Sequence, residues 1–307
     1  MKIAVMGTGG VGGWFGAKLA LAGEDVTFIA RGAHLAAIRA NGLKVISPAG
    51  DMLVRPARAT DDPATIGPVD VVMFCVKLWD VESGAEACRP LIGPDTAVIA
   101  FQNGVEAEER VAAVLGERHA VGGVAAIFAL IDAPGVIRQT GALAWLKYGE
   151  LDGRRTPRME AFHAACLKAG IQGTLSPDIV VDLWEKFTFL APLAGATAAT
   201  RMPIGAILGD PDTRALFAGL VEEAVAVGRA RGVRLADDIA ATRIAFAEGL
   251  PPGNRASMAA DLERGNRLEL EWLIGAVVRL GRAASVPTPK SDTVYAVLKL
   301  HANGAPR

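Results

Sequence analysis

A short apolar strand running into a glycine turn constrains this chain more than any other feature. Lys2 to Met6 carries Ile3, Ala4 and Val5, and the chain then passes through Gly7-Thr8-Gly9-Gly10-Val11-Gly12, with Gly16 one helical turn later. In such a G-x-G-x-x-G pattern the first glycine permits the tight turn and the second lets backbone approach a pyrophosphate. The third lets the next helix pack on the strand. A helix over residues 11–22 would point its free N–H groups and positive dipole end at that phosphate. Alone the pattern is a weak signal, since a glycine-rich turn can be no more than a turn. Here it follows a strand, opens a helix and precedes a second apolar strand at residues 26–30, the spacing of a βαβ unit. The reading is a dinucleotide site, with Gly7, Gly9, Gly10 and Gly12 as its cofactor-binding glycines.

The end of the second strand selects the dinucleotide. An NAD site places Asp or Glu there for the ribose hydroxyls, whereas an NADP site favours Arg beside the 2′-phosphate. This chain reads Ile29-Ala30-Arg31-Gly32, and its acids, Glu24 and Asp25, precede the strand at the wrong end. Arg31 therefore argues for NADPH/NADP+ over a merely solvated surface arginine.

With 307 residues there is room for two domains and a sizeable core. Lys and Arg total 32 against 33 Asp and Glu, without a basic run, which argues against nucleic acid as a partner. Three cysteines without C-x-x-C spacing fit a reducing cytoplasm, and Cys75 reads as a packed strand residue, not a nucleophile. Four scattered histidines show no zinc spacing, so no metal is expected. The apolar N-terminus is broken by glycines and ends in Glu24-Asp25, unlike a signal peptide. The long uncharged run at residues 187–200 is too short for a membrane span. These features predict a soluble cytoplasmic protein without membrane attachment, and the apolar second half is compatible with a homodimer.

Beyond the first βαβ unit the pattern predicts a hairpin (43–46 and 52–55) and buried strands at 69–76 and 97–101. It then predicts a helix at 106–115 and strands at 122–130, 136–139 and 143–148. Thr156-Pro157 starts a helix. The composition changes at Ser176-Pro177-Asp178, after which helices are expected at 179–191, 211–231, 237–248, 257–263, 267–284 and 292–301. The fold class expected is α/β: a Rossmann-type doubly wound parallel sheet (1–175, binding NADP) followed by an all-helical domain (176–307, substrate and catalysis). Ligands of such sheets bind beyond the carboxyl ends of the strands, so substrate is expected in the cleft between domains.

Polar residues at strand ends are the first candidates for chemistry. Lys77 follows one strand and is either a contact for an anionic group or a solvated loop lysine. Asn103, before Gly104, either hydrogen-bonds nicotinamide ribose or substrate, or is a turn residue. Lys186 shares a helix face with Ile179, Leu183 and Leu190, where an ammonium is costly. It is either an i,i+4 partner of Asp182 with its stem on apolar surface, or a general acid with a lowered pKa. Glu269 borders the stripe Leu270, Leu273, Val277 and Leu280 and needs a partner, an arginine in the structural reading. Ser257 is either an N-cap or, with Asn254, a carboxylate site at a helix start.

These residues resemble the ketopantoate reductase (2-dehydropantoate 2-reductase) family over nearly the whole chain. The resemblance rests on the glycine pattern, Arg31, Val76-Lys77, Asn103-Gly104 and Leu183-Trp184-Glu185-Lys186. It continues in Asn254-x-x-Ser257-Met258 and in Asp261 followed by Glu269. It implies NADPH-dependent reduction of a small-molecule 2-keto acid, 2-dehydropantoate in pantothenate biosynthesis, with Lys186 as general acid and Glu269 set against the substrate. It also implies that Asn254 and Ser257 bind substrate, while Lys77 and Asn103 serve the cofactor and the reacting centre. The chain departs from the family at Leu190 and Ala194, where asparagines are usual, at Leu268 for a threonine and at Ala256 for a serine. The alternatives are therefore a paralogue acting on a more apolar 2-oxo acid, or an NADP(H)-binding redox sensor without turnover.

Overall fold

The computed structural model describes residues 1–305 in two compact units, one formed by Met1–Gln102 with Glu106–Ile179 and the other by Asn103–Val105 with Val180 onward. The last two residues of the expected helical half, 306 and 307, lie outside the described residues.

The first unit is a sheet with helices. Its strands are β1 (Lys2–Met6), β2 (Asp25–Ile29), β3 (Leu43–Ile46), β4 (Met52–Val54), β5 (Arg58–Thr60), β6 (Val69–Phe74), β7 (Ile92–Ala100), β8 (Ala120–Ala133), β9 (Val136–Glu150) and β10 (Gln172–Leu175). Helices α1 (Gly10–Leu21), α2 (Gly32–Asn41), α3 (Val81–Ala87), α4 (Ala107–Leu115) and α5 (Pro157–Lys168) connect them. The order β8-β7-β6-β1-β2-β5 is parallel throughout, the doubly wound core expected of near-continuous apolar runs. Ile3, Val5, Phe15, Phe28, Val71, Met73 and Ile99 fill its interior.

The sheet continues beyond that core with a change of direction. β8 pairs antiparallel with β9, whose other edge takes β3 at one end and β10 at the other. The two strands expected at 136–139 and 143–148 are one long strand. Thr140-Gly141 reads as a breaker, but Gly141, at φ +76°, lies in an irregularity where the pairing steps from Ile127↔Ala144 to Ala129↔Gln139. Strand pairing on both sides carries the chain through. Thr156 caps α5 by backbone position alone, because its hydroxyl instead donates to Glu150 Oε1.

The second unit is helical: α6 (Ile179–Thr200), α7 (Ile204–Gly209), α8 (Pro211–Ala230), α9 (Ile239–Glu248), α10 (Ser257–Glu263), α11 (Ile274–Ala283) and α12 (Pro289–Lys299). Three expectations need correction. The helix expected to stop before Pro192 continues to Thr200, because Leu193, Ala194, Ala196 and Ala198 are all buried in the helical core. That burial outweighs the ~3 kcal/mol that an interior proline costs. The helix expected at 267–284 is a one-turn 3₁₀ segment, Leu270–Trp272, followed by α11, so Glu269 caps a turn and sits on no regular helix face. The glycine-bounded α7 was not expected; its first N–H groups are satisfied by Asn254 O and Pro252 O from a distant loop, which a local reading cannot see. The Asp210 cap is as expected, its carboxylate accepting from the N–H groups of Asp212 and Thr213.

Candidate active site

In the helical unit, α6 turns Lys186 towards the Asn103–Val105 loop, and the ammonium donates to Asn103 Oδ1 at 2.9 Å. A lysine can only donate, so this contact fixes the amide: the carbonyl faces Lys186 and the NH₂ faces away. Glu269, 8% exposed, is the charge that acts on the ammonium from its other side of the sequence, favouring the protonated form. Burial works the other way and is stronger, pulling the Lys186 pKa down to about 8. Lys186 is half-buried as a residue, and desolvation of its ammonium makes lowering the expected direction. Asn103, Lys186 and Glu269 thus form one cluster from three distant stretches of chain. What they assemble is an ammonium poised to give up a proton near neutral pH.

Asn254 and Ser257 belong to the same unit. The loop before α10 is pinned to α6 where Ala256 N–H donates to Thr197 Oγ1 at 3.4 Å. The Asn254 backbone is structural, its carbonyl receiving Ile204 N–H. Ser257 is exposed and opens α10, and the N-cap is Ala256, which corrects the capping reading of that serine. Of the expected departures from the family's pattern, Ala194, Leu268 and Ala256 lie in the core at 1%, 2% and 5% exposure, whereas Leu190 is partly buried. Of the two positions where the family's asparagines are missing, Leu190 is therefore the one left partly exposed to meet a bound molecule.

The nucleotide residues lie in the first unit, and the glycine turn there has a different geometry at each position. Gly7 has φ +96°, and a Cβ on it would meet the Cys75–Val76 backbone at 2.9 Å. Gly12 lies against Gly7 O, which a Cβ would approach to 2.4 Å. Gly10 abuts the β8 backbone at Ala129. Around Gly9, by contrast, nothing lies within 4 Å of where a Cβ would be. A closed turn, a close helix-strand contact and one open position make a cradle that a pyrophosphate fits, at the start of a helix with no side-chain cap. Arg31 is exposed at the end of β2, where it caps α2. Lys77 is exposed after β6, with its ammonium 5.5 Å from the Trp79 ring centre.

Two further residues complete the strand ends. Gln102, 7% exposed, donates to Phe74 O and Val76 O and so ties the end of β7 to that of β6. Sequence reading passed over it, and its only signal was an amide directly after a buried run. Cys75 packs at the end of β6 with its thiol pushed far up by burial, which leaves no thiolate for nucleophilic chemistry. Among the described residues no group of acidic, histidine or cysteine side chains could hold a metal, and no helix is long and apolar enough to cross a membrane.

Comparison with known proteins supplies independent findings. The family models "Ketopantoate reductase PanE/ApbA" and "Ketopantoate reductase PanE/ApbA C terminal" match residues 3–153 and 178–302. A 2-dehydropantoate 2-reductase of Mesorhizobium japonicum is 34% identical over 97% of this chain and 97% of its own length. The crystal structure of a PanE/ApbA family ketopantoate reductase from Ralstonia eutropha superposes with a TM-score of 0.90 at 32% identity, covering 98% of each chain. That of 2-dehydropantoate 2-reductase from Porphyromonas gingivalis gives 0.87 at 33% identity, covering 97% of this chain and 99% of that one.

Proposed function

The chain belongs to the ketopantoate reductase family, oxidoreductases that act on a CH–OH group and use NADPH, and from that premise we propose that it reduces 2-dehydropantoate to pantoate, a step of pantothenate biosynthesis. The observation that carries the reading is the buried-end ammonium of Lys186, held by Asn103 and opposed by the buried Glu269. NADPH, when bound, supplies the hydride that reduces C2 of the keto acid. Lys186 gives its proton to the carbonyl oxygen as that oxygen becomes an alkoxide, and is reprotonated from solvent after product leaves. Asn103 keeps the ammonium aimed, with its own NH₂ left to face the substrate or the ribose. Glu269 keeps the lysine protonated against the desolvation that would strip it. Ser257 and Asn254 receive the substrate carboxylate, while Gly7, Gly9, Gly10, Gly12, Arg31 and Lys77 hold the dinucleotide. NADPH oxidation followed with a panel of 2-keto acids tests the reading, and no turnover with any of them would leave the redox-sensor alternative standing.

Leu190 favours a second reading, a reductase of a more apolar 2-oxo acid. An apolar contact discriminates against a hydroxyl by only ~10²-fold, whereas a dedicated hydrogen-bonding site reaches ~10⁴-fold or more. The expected result is a kcat/KM for 2-dehydropantoate no more than ~10²-fold above that for 2-ketoisovalerate. A preference beyond ~10⁴-fold would sink the role given to Leu190.

The position of Arg31 after β2 supports selection of the 2′-phosphate. Arg31→Ala is expected to raise the KM for NADPH by about tenfold, as loss of a charge-assisted contact does, and to leave the KM for NADH nearly unchanged. Equal use of NADH and NADPH by the unaltered protein would remove the role from Arg31.

A further inference from the structure

The imidazole of His34, in the first turn of α2, spans two backbone groups of the first unit. Its Nδ1 accepts from Gly135 N–H at 3.0 Å, and its Nε2 lies 2.9 Å from Thr8 O. These contacts fix the tautomer. A nitrogen that accepts carries no proton, so the proton is on Nε2, which donates to the Thr8 carbonyl. The neutral ring satisfies both partners, whereas a protonated ring would set one N–H against another at Gly135.

Thr8 is the residue between the first two glycines of the turn. Its N–H and hydroxyl both donate to Ile29 O, at 3.1 and 2.9 Å, so its carbonyl is the group that His34 holds. In a planar trans peptide the C=O and the following N–H point in opposite directions. Holding Thr8 C=O on the histidine therefore turns the Gly9 N–H to the other side. Gly9 is also the open position of the cradle, with nothing within 4 Å of its Cβ direction.

Gly135 is itself fixed. Its carbonyl accepts from Lys44 N–H, and a Cβ on it would come within 3.0 Å of Ala37 on α2. The histidine thus anchors the glycine turn to a rigid β8–β9 corner.

We propose that His34 is a positioning residue for the dinucleotide phosphate, orienting the Thr8–Gly9 peptide so that its N–H is preset for the anion, and that this works only with the ring neutral. The inference rests on the NADP(H) reading above. Of the charged groups on the surrounding elements, Arg39 pairs with Asp61, Arg138 with Asp132 and Lys44 with Asp51, while Arg31 caps α2 and the glycine turn carries no charge. Burial holds the His34 pKa below the ordinary histidine value, which keeps the bridge intact at neutral pH. The sign follows: the bridge is present above that value and is lost as pH falls through the lowered one.

The test is calorimetric binding of NADP+ between about pH 7.5 and about pH 5, with His34→Ala and His34→Gln as variants. Glutamine also offers one acceptor and one donor but does not titrate. His34→Ala is expected to weaken NADP+ binding by about tenfold at neutral pH, with kcat at saturating NADPH within about twofold of wild type. His34→Gln is expected to bind nearly as wild type at neutral pH and to keep that affinity in acid, where wild type weakens. The ligand's own 2′-phosphate titrates in the same range, but equally for both proteins, so their difference reads the ring. An acid loss of equal size in His34→Gln and wild type would overturn the role of His34 while leaving the cofactor reading intact. Absence of NADP+ binding by wild type would overturn both.

Discussion

Lys186→Ala is expected to lower kcat by about 10²-fold or more, a loss of about 3 kcal/mol of transition-state stabilisation, while NADPH affinity stays within a fewfold. The asymmetry follows from where the parts lie: the ammonium belongs to the helical unit with Asn103, and the glycine turn to the other. The pH profile separates a general acid from a structural lysine. With the pKa near 8, kcat should fall as pH rises through that value, because the proton to be donated is lost. Glu269→Gln removes the charge that favours the ammonium, so the descending limb should move to lower pH. A variant at Lys186 that keeps its turnover but melts earlier would show that the lysine is there for packing.

The residues of that cluster could be named from sequence, but their meeting could not. Lys186 stood out because an ammonium on an apolar helix face is costly, and Glu269 because a carboxylate beside an apolar stripe needs a partner. Both signals are local. That Asn103 would close the cluster depends on three residues of a strand-end loop joining the helical unit, a tertiary fact with no periodicity to announce it. The helix-face reading of Glu269 was right about burial and wrong about the element, since the helix starts only at Ile274. The parallel core of the sheet was legible because its strands are continuous apolar runs. The β8–β9 ribbon was less so, because Thr140-Gly141 reads as a turn until the pairing with β8 is known to resume on either side of it. Pro192 misled in the same way: propensity is a local cost, and the burial of Leu193 to Ala198 overrides it.

The glycine pattern gives each glycine of the turn a different role, and two variants should separate those roles. Gly12→Ala would place a Cβ 2.4 Å from Gly7 O and 2.7 Å from Val5 Cγ1. Neither neighbour can yield easily, since Gly7 is itself wedged against the Cys75–Val76 backbone. The helix α1 must lift from β1, an overpacking cost of about 3 kcal/mol or more. Gly12→Ala should therefore melt roughly several degrees below wild type and fail to retain NADP+. Gly9→Ala meets nothing within 4 Å, and at φ −87° an alanine is unstrained, so its melting temperature should match wild type. Its methyl nevertheless projects into the open position that the pyrophosphate would fill. The expected loss of NADP+ affinity is about tenfold or more, the worth of at least one charge-assisted backbone contact. Thermal melting and NADP+ titration of both variants read fold and binding independently. Undiminished NADP+ binding by Gly9→Ala would mean that the phosphates approach the turn elsewhere than at Gly9, and that its openness is not the cradle.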